Sequence, residues 1–337
     1  MNSVANKVAV VGSGSEHFEP TLSFSGAVCA SILARNGVSV TIFESARGPG
    51  GRMSQRREVT EEGRELVFDH GAPYFSVSNA EVWDLVREWE SRGLVAEWDE
   101  NFGAFDCISH KFLGIQQEGL TKKYVGVPGM NAICRALCQE TGVESKFGVG
   151  VGRLEWLEDE NLWSLMGLDG QNLGQFQGVV ASDKNIVSPR FTNVTGRAPP
   201  LDMNLVPGMA VKLQDIPVIP CFALMIAFAE PLSAIPTKGF RVVNSEVLSW
   251  ACCDSSKPGR SATRFVPVCC ILNKFMERNT QFSRGSAFPG TSIAREEKCL
   301  WEKNKRLAIC GDFCVSPNIE GAIVSGIAAA SKLSSCW

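Results

Sequence analysis

The stretch "VVGSGSEHFEPTLSFSGAVCAS", residues 10–31, decides the fold by how it is divided. Gly12-Ser13-Gly14 follows an apolar run as a phosphate-binding turn does, yet His17 stands where the third glycine of GxGxxG belongs. Upstream, "KVAVVG" (7–12) is a β-branched run ending in glycine, expected of a buried parallel strand. Downstream, "GAVCASILARNG" (26–37) places Val28, Ile32 and Leu33 on one helical face. Gly26, Ala27 and Ala30 are small enough for close helix-to-sheet approach, and Gly37 is a stop signal. "VSVTIFE" (38–44) then predicts a second strand closed by Glu44, eighteen residues beyond Gly26. A carboxylate at that point accepts hydrogen bonds from both hydroxyls of an adenosine ribose.

Replacing residues 15–24 by a single residue restores GSGxSGAVCA, a complete GxGxxG ahead of a helix. The stretch therefore reads as a dinucleotide-binding strand–helix–strand unit carrying a net insertion of nine residues. The other reading is a glycine loop that holds no phosphate. Phosphate binding needs successive N–H groups converging at a helix N-terminus, and Glu16, Glu19 and Pro20 lengthen that turn and add negative charge beside it. Either the extra residues bulge outward or binding weakens. Such a clean addition between two intact halves also has the pattern of an exon-boundary variant. Directly after Glu44, "SARGPGGRM" (45–53) supplies two permissive backbones, Gly50 and Gly51, and the guanidinium of Arg52, suited to a pyrophosphate and a bulky ring. A surface turn is the alternative there.

Composition bounds the partners. The 337 residues are 45% hydrophobic and 20% charged, as in an ordinary globular protein of one large domain or two joined ones. A net charge of -3, with no basic run, argues against nucleic acid or an anionic membrane surface as partner. The apolar run Cys221 to Ala229 is too short to span a bilayer, and a strand at 7–11 leaves no room for a signal peptide. A soluble intracellular protein, of cytoplasm or an organelle, is expected. Thirteen cysteines in apolar settings read as reduced, buried thiols. Neither Cys134/Cys138 nor Cys310/Cys314 has CxxC spacing, and His17, His70 and His110 are the only histidines, so no zinc ligand set is expected. No GxSxG elbow occurs for a serine nucleophile.

Taken in order, several motifs carry a resemblance: the glycines 12, 14 and 26 with Glu44, "GGRM" (50–53), "FDHGAPYF" (68–75), "YVGVPGMNAI" (124–133), "LSWACCDSSKPGR" (248–260) and "CGDFCVSPNIEGAIVSGIAAA" (310–330). In these the chain resembles the flavin-dependent amine oxidase superfamily and, within it, the renalase-like branch of FAD/NAD(P)-binding oxidoreductases. The resemblance implies an α/β (α+β) fold: a Rossmann-like FAD-binding domain with a mixed or antiparallel-sheet substrate domain, amine oxidase-like. It implies FAD, with Gly12, Gly14 and Gly26 at the pyrophosphate, Glu44 at the ribose, and Gly50, Gly51 and Arg52 beside pyrophosphate and flavin. Val149 would offer backbone to adenine. Gly311-Asp312 would end a returning strand, "RLAICGD" (306–312), with the acid facing the FAD linker.

After it, "IEGAIVSGIAAASKL" (319–333) reads as a small-residue helix whose N-terminus, at Glu320, Gly321 and Ala322, points at the flavin pyrimidine. A helix packed tightly on the sheet through Gly321, Ser325 and Gly326 is compatible with that. His70 and Tyr74 of "FDHGAPYF" are the catalytic candidates. His70 has two readings, a polar contact near the ring or a turn histidine satisfied by backbone. Pro73 stands where the family tends to have glutamine, so one amide contact is missing.

"SNAEVWDLVREWESRG" (78–93) predicts a packing helix with a Ser78/Glu81 capping box, Val82, Leu85, Val86 and Trp89 on one face, and a stop at Gly93. "PGMNAICRALCQETG" (128–142) predicts a core helix burying Met130, Ile133, Cys134 and Leu137. Residues 153–183, 221–232 and 247–254 read as strands and turns. The apolar content of this substrate-side sheet suggests an aromatic or largely apolar pocket. The run Val266 to Leu272 departs from the family, which puts the pocket roof in question. Domain breaks are expected as FAD-binding parts at 1–78, 129–190 and 301–337, a cap segment at 79–128 and a substrate domain at 191–300.

The function expected is that of an FAD-dependent oxidase taking hydride from a reduced nicotinamide-like or amine substrate and passing electrons to O2. With no second glycine-rich fingerprint, any nicotinamide dinucleotide would bind as substrate. The alternatives are a catalytically silent flavin-fold protein and a flavin desaturase or porphyrinogen-type oxidase on the same scaffold.

Overall fold

The computed structural model describes residues 6–12, 23–114, 122–213, 216–260, 266–272 and 285–337. Backbone contacts divide the chain into two interleaved units. The first comprises residues 1–51, 134–217 and 289–337, and the second 52–133 and 218–288. The breaks thus fall after 51, 133, 217 and 288, whereas the sequence motifs suggested 78, 128, 190 and 300. The segment 52–78 goes with the second unit because its hairpin strands Arg56–Val59 and Glu65–Phe68 pair with each other and not with the parallel sheet.

The first unit is built on strand β1 (Lys7–Gly12), helix α1 (Phe24–Arg35) and strand β2 (Ser39–Glu44). Its sheet has the order Leu300–Glu302, Leu307–Ile309, Gly178–Ala181, β1, β2, Val143–Phe147. All neighbours are parallel except the outermost pair, Leu300–Glu302 with Leu307–Ile309. Val8 to Val11 are fully buried, as expected of a central strand covered on both faces. Ala9 and Val11 share one apolar cluster with Trp163, Leu165 and Phe176, which belong to an antiparallel sheet of Val151–Leu157, Leu162–Gly167 and Asn172–Phe176. Each such aliphatic or aromatic side chain removed from water contributes roughly 1.5–3 kcal/mol.

Helix α1 packs against the terminal helix Ile319–Ser334 through small residues. A Cβ on Gly326 would stand 2.5 Å from the Ser25 carbonyl oxygen and 3.1 Å from Val28 Cβ. The small-residue stripe therefore serves helix-to-helix approach at Gly326, beyond the helix-to-sheet contact its composition suggested. Helix α1 starts two residues before Gly26, with Ser23 as N-cap. Of the inserted stretch 15–24, Ser23 and Phe24 are thus part of the helix start, and residues 15–22, with Gly14 and His17, lie outside the described residues. The strand expected to reach Gly311-Asp312 stops at Ile309, because Gly311 caps a short helix, Asp312–Val315, that turns the chain away.

In the second unit a seven-stranded sheet runs Gly285–Pro289, Val218–Phe228, Val266–Leu272, Leu248–Cys253, Gly239–Val243, Phe102–Asp106, Lys111–Leu113. Its one parallel pairing among the registers described is Gly239–Val243 with Phe102–Asp106. The atypical run at 266–272 is a central strand, with Cys269 opposite both Met225 and Cys252. Its apolar character suits a strand flanked on both edges. Residues 273–284 lie outside the described residues.

Helix Ala80–Ser91 buries Val82, Val86 and Trp89 as expected. Its cap is Asn79, one residue after the Ser78 of the expected box: Asn79 Oδ1 accepts from the N–H of Glu81 at 2.9 Å and of Val82 at 3.4 Å, closing both first-turn donors from a single amide oxygen. Helix Asn131–Cys138 follows with Met130, Ile133, Cys134 and Leu137 buried.

Cys29, Cys134, Cys138, Cys299, Cys310 and Cys314 are buried and unbridged. Burial pushes the thiols of Cys29, Cys134 and Cys310 well up, and that of Cys138 to about 12. Among the described residues no helix is long and apolar enough to cross a membrane.

The Gly326 contact makes a direct prediction. Gly326→Ala has no room for its methyl without moving two helices, and over-packing of this kind costs about 1–3 kcal/mol. Urea unfolding followed by circular dichroism should show that loss, and an unchanged midpoint would mean that the helices part freely.

Candidate functional site

The parallel register brings the nucleotide candidates to one edge of the sheet. Gly12 pairs with Glu44, Glu44 with Phe147, Val11 with Ala181, and Ala181 with Ile309. The carboxyl ends of five parallel strands therefore present Gly12, Glu44, Asp183 and Gly311 along the same side. The strand order reverses direction at β1, and ligands of open α/β sheets bind outside the carboxyl ends at such a switch point.

Glu44 is fully buried. Its Oε1 accepts the Ala46 N–H at 2.6 Å and stands 3.5 Å from the Ser45 hydroxyl. Its Oε2 has no hydrogen-bond partner among the described residues. Burial raises this carboxyl well above the usual carboxylate range; the Ala46 N–H opposes the rise and the nearby Asp183 adds to it. A buried acceptor left open is costly. A vicinal diol has the two O–H donors that would satisfy it, so the residues present fit the ribose of an adenine dinucleotide. Beside it, the first turn of α1 has no acidic residue, and the Ser23 hydroxyl bonds the Ser25 hydroxyl at 2.5 Å rather than capping a helix N–H. Gly26 sits buried in that first turn. An uncapped helix start of this kind suits an anion.

Gly50 and Gly51 have φ of 140° and 54°, both in the region that favours glycine, and Gly51–Met53 form a single 3-10 turn. The backbone permissiveness read from the sequence is thus used. Val149 N–H donates to the Glu44 carbonyl at 3.0 Å, so that donor is engaged in holding the acid's strand end. The Gly311 N–H donates to the Ser325 hydroxyl at 3.0 Å, and Asp312 is buried. At the terminal helix, the Gly321 N–H donates to Asn318 Oδ1 at 2.7 Å and the Ala322 N–H to the Asn318 carbonyl at 3.1 Å. The Gly321 donor is therefore closed by an Asn318 cap that the sequence motifs did not single out, and the Ala322 donor by the first main-chain bond of the helix. Glu320 lies half-buried in the same turn.

The second unit holds a charge cluster that the sequence reading missed. Asp69, Asp254, Lys257 and Arg260 are all buried. Lys257 Nζ lies 2.9 Å from Asp69 Oδ2 and 2.5 Å from Asp254 Oδ1. Arg260 Nη2 lies 2.6 Å from Asp69 Oδ2 and 2.9 Å from Asp254 Oδ2. Asp69 Oδ1 also accepts from Gln55 Nε2 at 3.1 Å and from the Met130 N–H at 3.2 Å.

Burial alone would raise Asp69, but Lys257 and Arg260 outweigh it and hold the carboxyl below its ordinary value. For Asp254 burial prevails and the carboxyl is raised. The asymmetry follows from the extra donors on Asp69. Burial pulls Lys257 down, and the two carboxylates more than reverse that. The signal was present in "DSSKPGR": an acid, a lysine and an arginine at three-residue steps, with a lone aspartate in the apolar context of "FDHG" to meet them.

His70 and Tyr74 both lie in this unit, half-buried. Tyr74 has ring centroids at 5.4 Å from Trp250, 6.3 Å from Trp98 and 6.4 Å from Phe102. Lys123 Nζ stands 4.3 Å from the Phe102 ring centre and 5.7 Å from that of Tyr74. Tyr74, Trp250, Trp98 and Phe102 thus form a cluster of four rings, with the Lys123 ammonium over two of them.

Comparison with known proteins agrees with this architecture. A family described as an NAD(P)-binding Rossmann-like domain matches residues 10–89. A solved oxidoreductase from Methanosarcina mazei is 10% identical with a TM-score of 0.65, covering 95% of this chain and 99% of that one. A candidate protoporphyrinogen oxidase from Exiguobacterium sp. 255-15 is 10% identical with a TM-score of 0.64, covering 99% of each chain. A putrescine oxidase solved with putrescine is 9% identical with a TM-score of 0.65, covering 97% and 98%. The chain thus carries a dinucleotide-binding Rossmann-like domain. Its whole architecture, a parallel sheet plus an antiparallel-rich sheet, is amine oxidase-like.

Two outcomes follow. Lys257→Met leaves two buried carboxylates on one cation, which should destabilise the protein by about 3–5 kcal/mol in urea unfolding. For Glu44, the folded-state carboxyl is raised above its unfolded value near ~4.3. Its contribution is fully present below that pH and is lost as pH rises through the folded value. Glu44→Gln removes the loss, so in thermal scans of the ligand-free protein the variant should unfold later than wild type at pH 8 and together with it at pH 4.

Proposed function

We propose that the protein is an FAD-dependent oxidoreductase, an oxidase that takes hydride from a small reduced nicotinamide-like or amine substrate and passes the electrons to O2. The observation that carries this reading is the open, fully buried Oε2 of Glu44 at the carboxyl end of β2. In this reading Glu44 holds the adenosine ribose, and Gly12, Gly14 and the α1 start at Gly26 hold the pyrophosphate. Gly50, Gly51 and Arg52 lie along the same dinucleotide, with Val149 near adenine and Asp312 at the linker.

When bound, FAD supplies the two-electron acceptor and the path to dioxygen. The chain's own part is to bind, orient and exclude water. Tyr74 and Trp250, tilted 53° to each other and backed by the buried Trp98 and Phe102, offer aromatic surface to an apolar part of the donor, and His70 a polar contact on the same segment as Tyr74. The Lys123 ammonium favours donors bearing negative charge, such as a nicotinamide dinucleotide, over free amines.

A second reading, a flavin-fold protein without turnover, draws on the closed amides of Gly321 and Ala322. Titration of purified protein with FAD, followed by absorbance, separates the two. Wild type should bind with resolved flavin bands that bleach anaerobically with a reductant and return in air. Glu44→Gln should weaken binding about 10- to 100-fold, since a hydrogen bond to a charged group contributes about 1.5–3 kcal/mol. Affinity should also fall as pH falls through the raised Glu44 value, because the neutral acid is the poorer acceptor. A folded, colourless protein that stays colourless after residues 15–22 are excised would defeat the proposal. Reduced nicotinamides, amines and porphyrinogens, offered in turn, identify the donor.

A further inference from the structure

The Asp69 carboxylate gathers four donors from three separate pieces of chain: Gln55, the Met130 backbone, and Lys257 and Arg260 of one loop. Two residues on, the backbone is fixed a second time. A Cβ on Gly71 would stand 2.1 Å from the Arg52 carbonyl oxygen, so these two main chains lie in direct contact. His70 is therefore held between two anchored neighbours, which fix where its side chain leaves the backbone.

Asp254 completes the arrangement. With it the cluster carries two charges of each sign, so both cations can stay buried against an ionised Asp69. Lys257 also lies 5.6 Å over the Trp98 ring, and Trp98 Nε1 donates to the Ser256 hydroxyl at 3.1 Å, which ties the 254–260 loop to the aromatic cluster.

We infer that Asp69 is a positioning residue: through its four donors it fixes the segment His70–Tyr74 and the turn at Met130, and Lys257, Arg260 and Asp254 exist in this fold to hold its charge. This rests on the oxidoreductase reading for what is positioned, namely the donor's polar contact and aromatic cluster. The positioning itself is a property of the free protein.

Hydrogen–deuterium exchange on the ligand-free protein gives the first test. Asp69→Asn keeps an acceptor for Met130 but turns an amide donor toward two buried cations. Peptides covering 68–75 and 126–131 should exchange at least tenfold faster, while those covering 7–12 and 39–44 stay as in wild type. Asp69→Asn combined with Lys257→Met restores charge balance and should recover most of that protection, which a purely packing role would not do.

In FAD-loaded protein, Asp69→Asn should keep its FAD affinity within threefold and lose at least tenfold in the rate of flavin reduction by substrate, with the double variant recovering part of the rate. Wild-type exchange in Asp69→Asn, or faster exchange in the double variant than in the single, overturns the inference. If Asp69→Asn does not fold, Lys257→Met with Asp254→Asn removes one charge of each sign and leaves Asp69 with Arg260, Gln55 and Met130. Its 68–75 peptides must then stay within threefold of wild type, and loss of protection there is equally fatal. A wild-type protein that binds no FAD would sink the functional reading alone, because the exchange results are read without ligand.

Discussion

The pairing of β1 with β2 sets Gly12 beside Glu44 at the end of two strands whose central residues are mostly apolar and buried. That register takes a carboxylate out of water, and among the described residues only one of its oxygens has a hydrogen-bond partner. Shifting the pairing by one residue would turn the side chain to the other face of the sheet and move every buried valine of β1 with it. The buried valines of β1 and an open buried acceptor are therefore set by the same alignment. Among the described residues nothing offsets the cost of that open acceptor.

The two units treat buried charge in opposite ways. In the first, an acceptor is left open and its carboxyl is pushed toward the neutral form. In the second, four charges close on one another with short contacts, and the carboxylate with extra donors, Asp69, is the one held below its ordinary value. A cluster of paired charges in a low-dielectric interior is stiff because every member has something to lose by moving, even though both Asp254 oxygens and Arg260 Nε lack a hydrogen bond of proper geometry among the described residues. An open acceptor is the reverse, a place where the structure remains incomplete until a donor arrives. The first arrangement suits recognition and the second suits support.

Much of the first unit was legible from residue order. The β-branched run of β1, the small residues of α1, the acid closing β2 and the stop at Gly37 act locally, within one turn or one strand, and local chemistry is what a sequence displays. The glycine pair at 50 and 51 was legible for the same reason, and both residues do adopt conformations that favour glycine.

What escaped was long-range or a matter of one residue. Asp69 meets Lys257 across 188 positions, a contact no spacing rule reaches. Asn79 displaced Ser78 as the cap because an amide oxygen placed one residue later reaches both open donors. Asn318 took the Gly321 amide by the same device at a helix start judged only by its small residues. The run at 266–272 looked foreign until its pairing on both edges showed it to be sheet interior.

The sealed thiols of Cys29, Cys134 and Cys310 have a practical consequence. Because burial holds them protonated and away from solvent, an alkylating or oxidising reagent reaches them only when the parallel-sheet unit opens. Their labelling rate is thus an internal clock for breathing of that unit, readable by mass spectrometry on the unmodified chain. If the protein does release peroxide, the same concealment spares these sulfurs from its own product.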